Sequence, residues 1–133
     1  MNVNNVTIIG HLTKDPITKD YESGKPLTTF TVATNRRNKD KQSEPEFHNV
    51  VTFGRLAEIC RDYLKRGRLV YVQGRLHTGY WEDDKKNKRS KTEVIAKEML
   101  LLDKKSALVR AASEDVDASE ALININRVAA QPA

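Results

Sequence analysis

The chain has 133 residues, 38% of them hydrophobic, with 23 Lys and Arg against 18 Asp and Glu for a net charge of +5. That length fits one domain with a tail, and about 100 residues bury a working core without metal or disulfide help. No apolar run approaches the roughly 18 residues of a membrane span, and the first residues, MNVNNVTIIG, lack the basic region of a signal peptide and the Arg-rich amphipathic pattern of a transit peptide.

The single Cys60 has no partner for an internal disulfide and falls inside a helical pattern, which reads as a small buried hydrophobe in a reducing compartment. The expectation is a soluble cytoplasmic protein without a targeting sequence. Charge is uneven along the chain. Residues 106–133 hold two bases, Arg110 and Arg127, against four acids, Glu114, Asp115, Asp117 and Glu120, which leaves 21 bases against 14 acids, or +7, in residues 1–105. A small basic domain with a mildly acidic appendage leans toward a polyanionic partner, although a basic surface also serves solubility.

In chain order, residues 6–12 (VTIIGHL) are rich in β-branched side chains, with Gly10 marking a bulge or bend. TKDP and ESGKP then punctuate the chain as turns. Residues 27–34 alternate as a strand, Phe30 and Val32 facing one way and Thr29, Thr31 and Ala33 the other. NRRNKDKQSEP reads as a charged loop leading to a strand at 46–53, where Phe47, Asn49, Val51 and Phe53 share one face.

At 55–65 the period changes: Leu56, Ile59, Cys60, Tyr63 and Leu64 make the stripe of an amphipathic helix, with Gly67 placed to end it. Residues 68–78 are again a strand, with Gly74 a second candidate bulge. EDDKKNKRSK is the tip of a long hairpin, and 92–102 is the closing strand. Three strands, a helix and two strands is the order of an all-β, five-stranded OB-fold Greek-key barrel, with its helix between strands 3 and 4 and a long hairpin between strands 4 and 5. The domain is expected to span 1–105, followed by a 106–133 tail that is either a short helix capped by Ser113 or disordered.

From pattern alone, the face carrying Phe47 and Phe53 is either core or an offered surface. Tyr63 belongs to the helix stripe, Phe30 to the core, and Tyr21 and Tyr71 to barrel or subunit contacts. Tyr80 and Trp81 lie in the charged hairpin, where exposed rings among cations suit nucleic-acid bases and phosphates. The best phosphate candidates are Arg36, Arg37, Lys39 and Lys41, joined by Arg55, Arg66 and Arg75; Lys85, Lys86, Lys88, Arg89 and Lys91 are either further contacts or solvated.

His11, His48, Cys60 and His77 show no metal-ligand spacing, and Glu82, Asp83 and Asp84 read as a solvated turn. No phosphate-binding loop, dinucleotide fingerprint or catalytic triad stands out, so neither an enzyme nor a cofactor is expected.

ATNRRNKDK, FHNVVTFGRLAEICRDYLKRGRLVYVQGRL, GYW and TEVIAKEMLLL, in that order over residues 1–105, closely resemble bacterial-type single-stranded DNA-binding proteins. The resemblance implies an OB-fold homotetramer that coats single-stranded DNA without sequence preference in replication, recombination and repair, associated with the nucleoid. It implies stacking by Phe47, Phe53 and Trp81, and it places His48 inside the barrel or at a subunit contact. Two departures stand out. Asn38 occupies a position where the family commonly has Trp, and Gly79–Tyr80 replaces basic residues, with Tyr80 a substitute ring. The acidic, Phe-containing tip that recruits partner enzymes in typical members is absent from INRVAAQPA, so that partnership does not carry over. The rivals are a dimeric OB-fold replication-restart accessory protein and a small OB-fold nuclease.

Overall fold

The computed structural model describes residues 1–22, 24–40, 42–103 and 110–112, with Glu22 and the last three as backbone alone. In chain order the elements are β1 (Val6–Leu12), β2 (Ile17–Glu22), β3 (Lys25–Arg37), β4 (Ser43–Phe53), α1 (Gly54–Tyr63), β5 (Leu69–Glu82), β6 (Lys88–Leu101) and β7 (Arg110–Ala112). The sheet runs β1-β5-β6-β4-β3-β2, and β1 also pairs with β3 at His11↔Ala33 and Leu12↔Val32. That second pairing closes β1, β5, β6, β4 and β3 into a five-stranded barrel, with β2 added outside β3 and β7 outside β6. The helix falls between the third and fourth barrel strands, as in the OB-fold.

Alternation along the strands makes the core. Ile8, Leu12, Phe30, Val32, Val50, Val70, Val72, Val94, Ala96 and Met99 point inward as one buried cluster. One helix face, Leu56 and Cys60 with Leu64 just beyond, closes it from below. Hydroxyl groups tie that helix to the strands: Thr28 Oγ1 donates to the Ala57 carbonyl at 2.8 Å, and Thr52 Oγ1 donates to the Thr28 carbonyl at 2.9 Å. All these groups are buried, so each bond spares the interior an unpaired polar atom. The two suspected glycines sit at crowded crossings. A Cβ on Gly10 would run into the Ala33 carbonyl oxygen, and one on Gly74 into that of Ile95. The register slips beside Gly74, with Gln73 opposite Glu98 but Gly74 opposite Ala96.

Several boundaries differ from the sequence expectation. β3 and β4 continue through most of the charged segment, which leaves only 38–42 as their connection. β5 and β6 extend likewise to a tip at 83–87. Cross-strand pairing carries on where the apolar alternation has faded, and hydrophobic pattern alone does not report it. β2 was unanticipated because ITKDYE is mostly polar, and β7 falls in the expected tail. The helix stops at Tyr63, with Leu64 already extended. Gly67 instead serves a later turn at φ +90°, its N–H donating to the Leu12 carbonyl at 2.9 Å. Tyr63 is half exposed rather than core. The suggested helix at Ser113 lies outside the described residues.

Candidate nucleic-acid interface

Strand register fixes which side chains share the barrel's outer face. Leu27↔Phe53, Thr31↔Asn49 and Ala33↔Phe47 pair β3 with β4, and Val51↔Ile95 carries the face across to β6. From β6 it continues into β5 through Arg75↔Ile95, His77↔Glu93, Gly79↔Lys91 and Trp81↔Arg89. Directly opposed residues point the same way, so Phe47, Arg75 and Trp81 stand on one continuous surface with Arg89 and Lys91. Arg37, four residues beyond Ala33 on β3, shares it as well.

The rings on this surface differ in how far they are offered. Phe47 is 61% exposed, against small Ala33 on the neighbouring strand. Trp81 is half-buried, and its Nε1–H is shielded from solvent with no partner among the described residues. His77 Nε2 on the same strand face is also unpartnered. Phe53 corrects the expectation of two outward-offered rings. It is on the outer face, as its parity with Phe47 requires, but only 3% exposed. It packs with Leu27, Val51 and Ile95 in a second, smaller apolar cluster that Tyr21 of β2 covers. Tyr80 is 71% exposed, but its neighbour relation to Trp81 turns it to the opposite side of the hairpin, across from Ser90. Both rings still border a shallow groove of about 380 Å³ with Glu82, Lys88 and Arg89.

The cations separate in the same way. Arg36, opposite Glu44, has the pleat parity of the inner side, whereas Arg37 lies on the Phe47 side; both are exposed, as is Lys39. Lys41 lies outside the described residues. Arg55 is exposed at the start of α1 and engages Glu58 at 3.0 Å. With Lys25, Phe53 and Tyr21 it borders a second open groove, of about 280 Å³. Arg66 is exposed near the lower end of the barrel, its backbone N–H donating to Asp15 at 2.8 Å. Arg89, from sequence one of five hairpin cations left as either contacts or solvated, lies across from Trp81, a placement that depends on where the hairpin turns.

His48 is half-buried on the inner parity, its Nε2 2.9 Å from Thr34 Oγ1. Burial pushes the Cys60 thiol up to about 12, against a smaller opposing effect of the Thr52 hydroxyl. A thiol held neutral in this way is inert. Among the described residues no three His, Cys, Asp or Glu side chains gather as a metal site, and no helix is long and apolar enough to cross a membrane.

The closed barrel with its helix, and the ringed, cationic outer face, define an OB-fold protein of the kind that lays an extended ligand across its strands. Residues 3–102 match the model of the single-strand binding protein family. Single-stranded DNA-binding protein 1 of Chlorobaculum tepidum is 41% identical over 110 residues, covering 79% of this chain and 68% of its own. The protein of the same name from Xylella fastidiosa is 42% identical over 109 residues, covering 78% and 80%. Among solved structures, the Plasmodium falciparum SSB in complex with ssDNA superposes with a TM-score of 0.70 at 29% identity, covering 77% of this chain and 97% of that one. The chain belongs to the single-strand binding protein family.

Proposed function

We infer that this chain binds and protects single-stranded DNA without reading its sequence, stacking bases on Phe47 and Trp81 and drawing phosphates to the cations around them. The observation that carries the reading is the shared face: register places an exposed Phe, the only Trp and three or more cations on one surface. Every base has a π-face and every nucleotide a phosphate, so such a surface takes any sequence. Phe53 joins the stacking set only when Tyr21 moves off it. Arg37, Arg75 and Arg89 are the best-placed phosphate ligands, with Arg36, Lys39, Arg55 and Arg66 further from the rings' face. The activity is binding rather than catalysis. The dimeric accessory reading is not favoured, because the relatives carry the single-stranded DNA-binding name.

Assembly into a homotetramer is part of the proposal. Its support is on β1, where Ile9 is 55% exposed and lies across from the half-buried Tyr71, an apolar patch beside a strand edge that β3 covers only at His11 and Leu12. Titration with oligo(dT) tests the whole reading. Trp81 emission should be quenched, Phe47→Ala should weaken binding by about 1–3 kcal/mol, and log K should fall steeply with log[salt]. The mass of the complex gives the subunit number. Binding that ignores both Phe47 and Trp81 in folded variants would remove this face from the site.

A further inference from the structure

The two long hairpins that rise from the barrel end in tips of the same length that share three hydrogen bonds. β3 and β4 stop pairing at Arg37↔Ser43, so residues 38–42 make the turn; β5 and β6 stop at Glu82↔Lys88, so residues 83–87 do. In the first tip the Asn38 N–H donates to the Gln42 carbonyl at 3.1 Å. Asn38 Oδ1 accepts the N–H groups of Asp40 and Gln42, each at 3.0 Å. In the second, the Asp83 N–H donates to the Asn87 carbonyl at 3.0 Å. Asp83 Oδ1 accepts from Lys85 at 3.0 Å and Asn87 at 2.9 Å. Each first residue therefore gathers the N–H groups two and four positions on with one side-chain oxygen.

The remaining polar atom of each side chain acts on the flanking charges. Asn38 Nδ2 donates to Glu44 Oε1 at 3.0 Å. Glu44 is the residue directly across from Arg36, so this bond engages one carboxylate oxygen of the acid nearest that guanidinium along the strand register. Asp83 Oδ2 accepts from Arg89 Nε at 3.0 Å, which fixes Arg89 on its strand across from Trp81. The Asn87 N–H, with Arg89 and the Lys85 N–H, holds the Asp83 carboxyl below its ordinary range despite some opposing desolvation. Around these closures lie Arg36, Arg37 and Lys39 at one tip and Lys85, Lys86, Lys88 and Arg89 at the other. An ungathered five-residue turn would leave Lys39, Lys85 and Lys86 on a wandering backbone, and ordering them on binding costs affinity.

We propose that Asn38 and Asp83 are matched positioning residues, each closing a hairpin tip with one side-chain oxygen so that the tip's cations are held ready for nucleotide phosphates. Asn38 is then more than a lost stacking platform. Its amide closes the turn and orders the cations beside it. The proposal rests on single-stranded DNA as the ligand.

The test compares variants of equal charge. Asp83→Asn and Asp83→Ala remove the same negative charge, and only Asn keeps an acceptor for the two N–H groups. With the full-length chain and oligo(dT) at one salt concentration, Asp83→Ala should bind about fivefold more weakly than Asp83→Asn, or about 1 kcal/mol. Asp83→Asn itself should bind as tightly as the parent or tighter, since it adds net positive charge. Asn38→Ala, which changes no charge, should weaken binding by a similar factor relative to the parent. The tips lie beyond the barrel, so melting temperatures should stay close to the parent's in all three. Equal affinities of Asp83→Asn and Asp83→Ala, or an unchanged Asn38→Ala, overturn the proposal. A parent chain that fails to bind oligo(dT) overturns the DNA-binding reading instead.

Discussion

The ring of Tyr21 stands edge-on to that of Phe53, their centroids 5.1 Å apart and their planes at 83°. This T-shaped contact joins β2, which lies outside the closed barrel, to the last residue of β4. It makes Phe53 part of a packed cluster with Leu27, Val51 and Ile95 in the free chain. Phe53→Ala should therefore cost folding stability of about 3–5 kcal/mol, the usual price of emptying a buried Phe site. Tyr21→Ala should cost less, about 1 kcal/mol beyond its own burial for the lost ring pair. Urea unfolding measures both. A Phe53→Ala midpoint equal to the parent's would show that the ring is not held in this cluster. In folded Tyr21→Ala, DNA binding tighter than the parent's would show that Tyr21 screens Phe53 from bases.

Gly10 and Gly74 mark places where the barrel wall is too close to another strand for any side chain. A Cβ at either site meets a backbone carbonyl, of Ala33 or of Ile95, and a backbone cannot rotate away as a side chain can. Gly10→Ala and Gly74→Ala should each lower stability by about 1–3 kcal/mol through overpacking. Alanine at Gly24, where open space surrounds the position but φ is +77°, should act only through the strain of that backbone conformation. Thermal melts of the three variants should rank Gly24→Ala as the mildest. Equal melting temperatures for Gly74→Ala and the parent would contradict the close approach of β5 to β6.

Burial moves the Cys60 thiol from an ordinary 9.0 up to about 12. Between those values the unfolded chain loses a proton that the folded chain keeps. The unfolded state then binds fewer protons, so this group's contribution to stability is complete below pH 9 and is lost as pH rises toward 12. The comparison with Cys60→Ala isolates the thiol. The alkaline decline should be shallower in that variant, whatever its stability at neutral pH. A thiol reagent should label the native chain slowly and the urea-unfolded chain at once. Rapid labelling of native protein would place Cys60 outside the core.

The barrel was legible in the sequence because its inward faces alternate cleanly, as at Phe30 and Val32 on β3 and Val70 and Val72 on β5. The shared side of Phe47 and Phe53 was legible for the same reason. What covers that side was not, because Tyr21 comes from a strand whose residues, ITKDYE, carry no apolar alternation. Tyr80 and Trp81 are neighbours in a strand, so local pleating already required them to face apart. The placement of Arg89 opposite Trp81 needed the turn position, which depends on the Asp83 hydrogen bonds and not on hydrophobic pattern.

The edge of β6 decides what the C-terminal segment does for the domain. On one side β6 pairs with β5 along nearly its whole length, and on the other it meets β4 only at Val94 and Ile95. β7 takes over that second side at Glu98, Met99 and Leu100, opposite Ala112, Ala111 and Arg110. Cutting the chain after Lys105 removes β7 and leaves those backbone groups without their strand partner, next to the apolar Met99 and Leu101. An uncovered strand edge invites pairing with other chains. The truncated chain should melt at a lower temperature and show more association in light scattering. Its oligo(dT) affinity should be unchanged or slightly tighter, because the rings and cations of the shared face all precede residue 102 and the tail carries net negative charge. A truncated chain that melts like the parent and stays dispersed would show that β7 adds nothing to the fold. One that stays folded but no longer binds DNA would put the tail in the site itself.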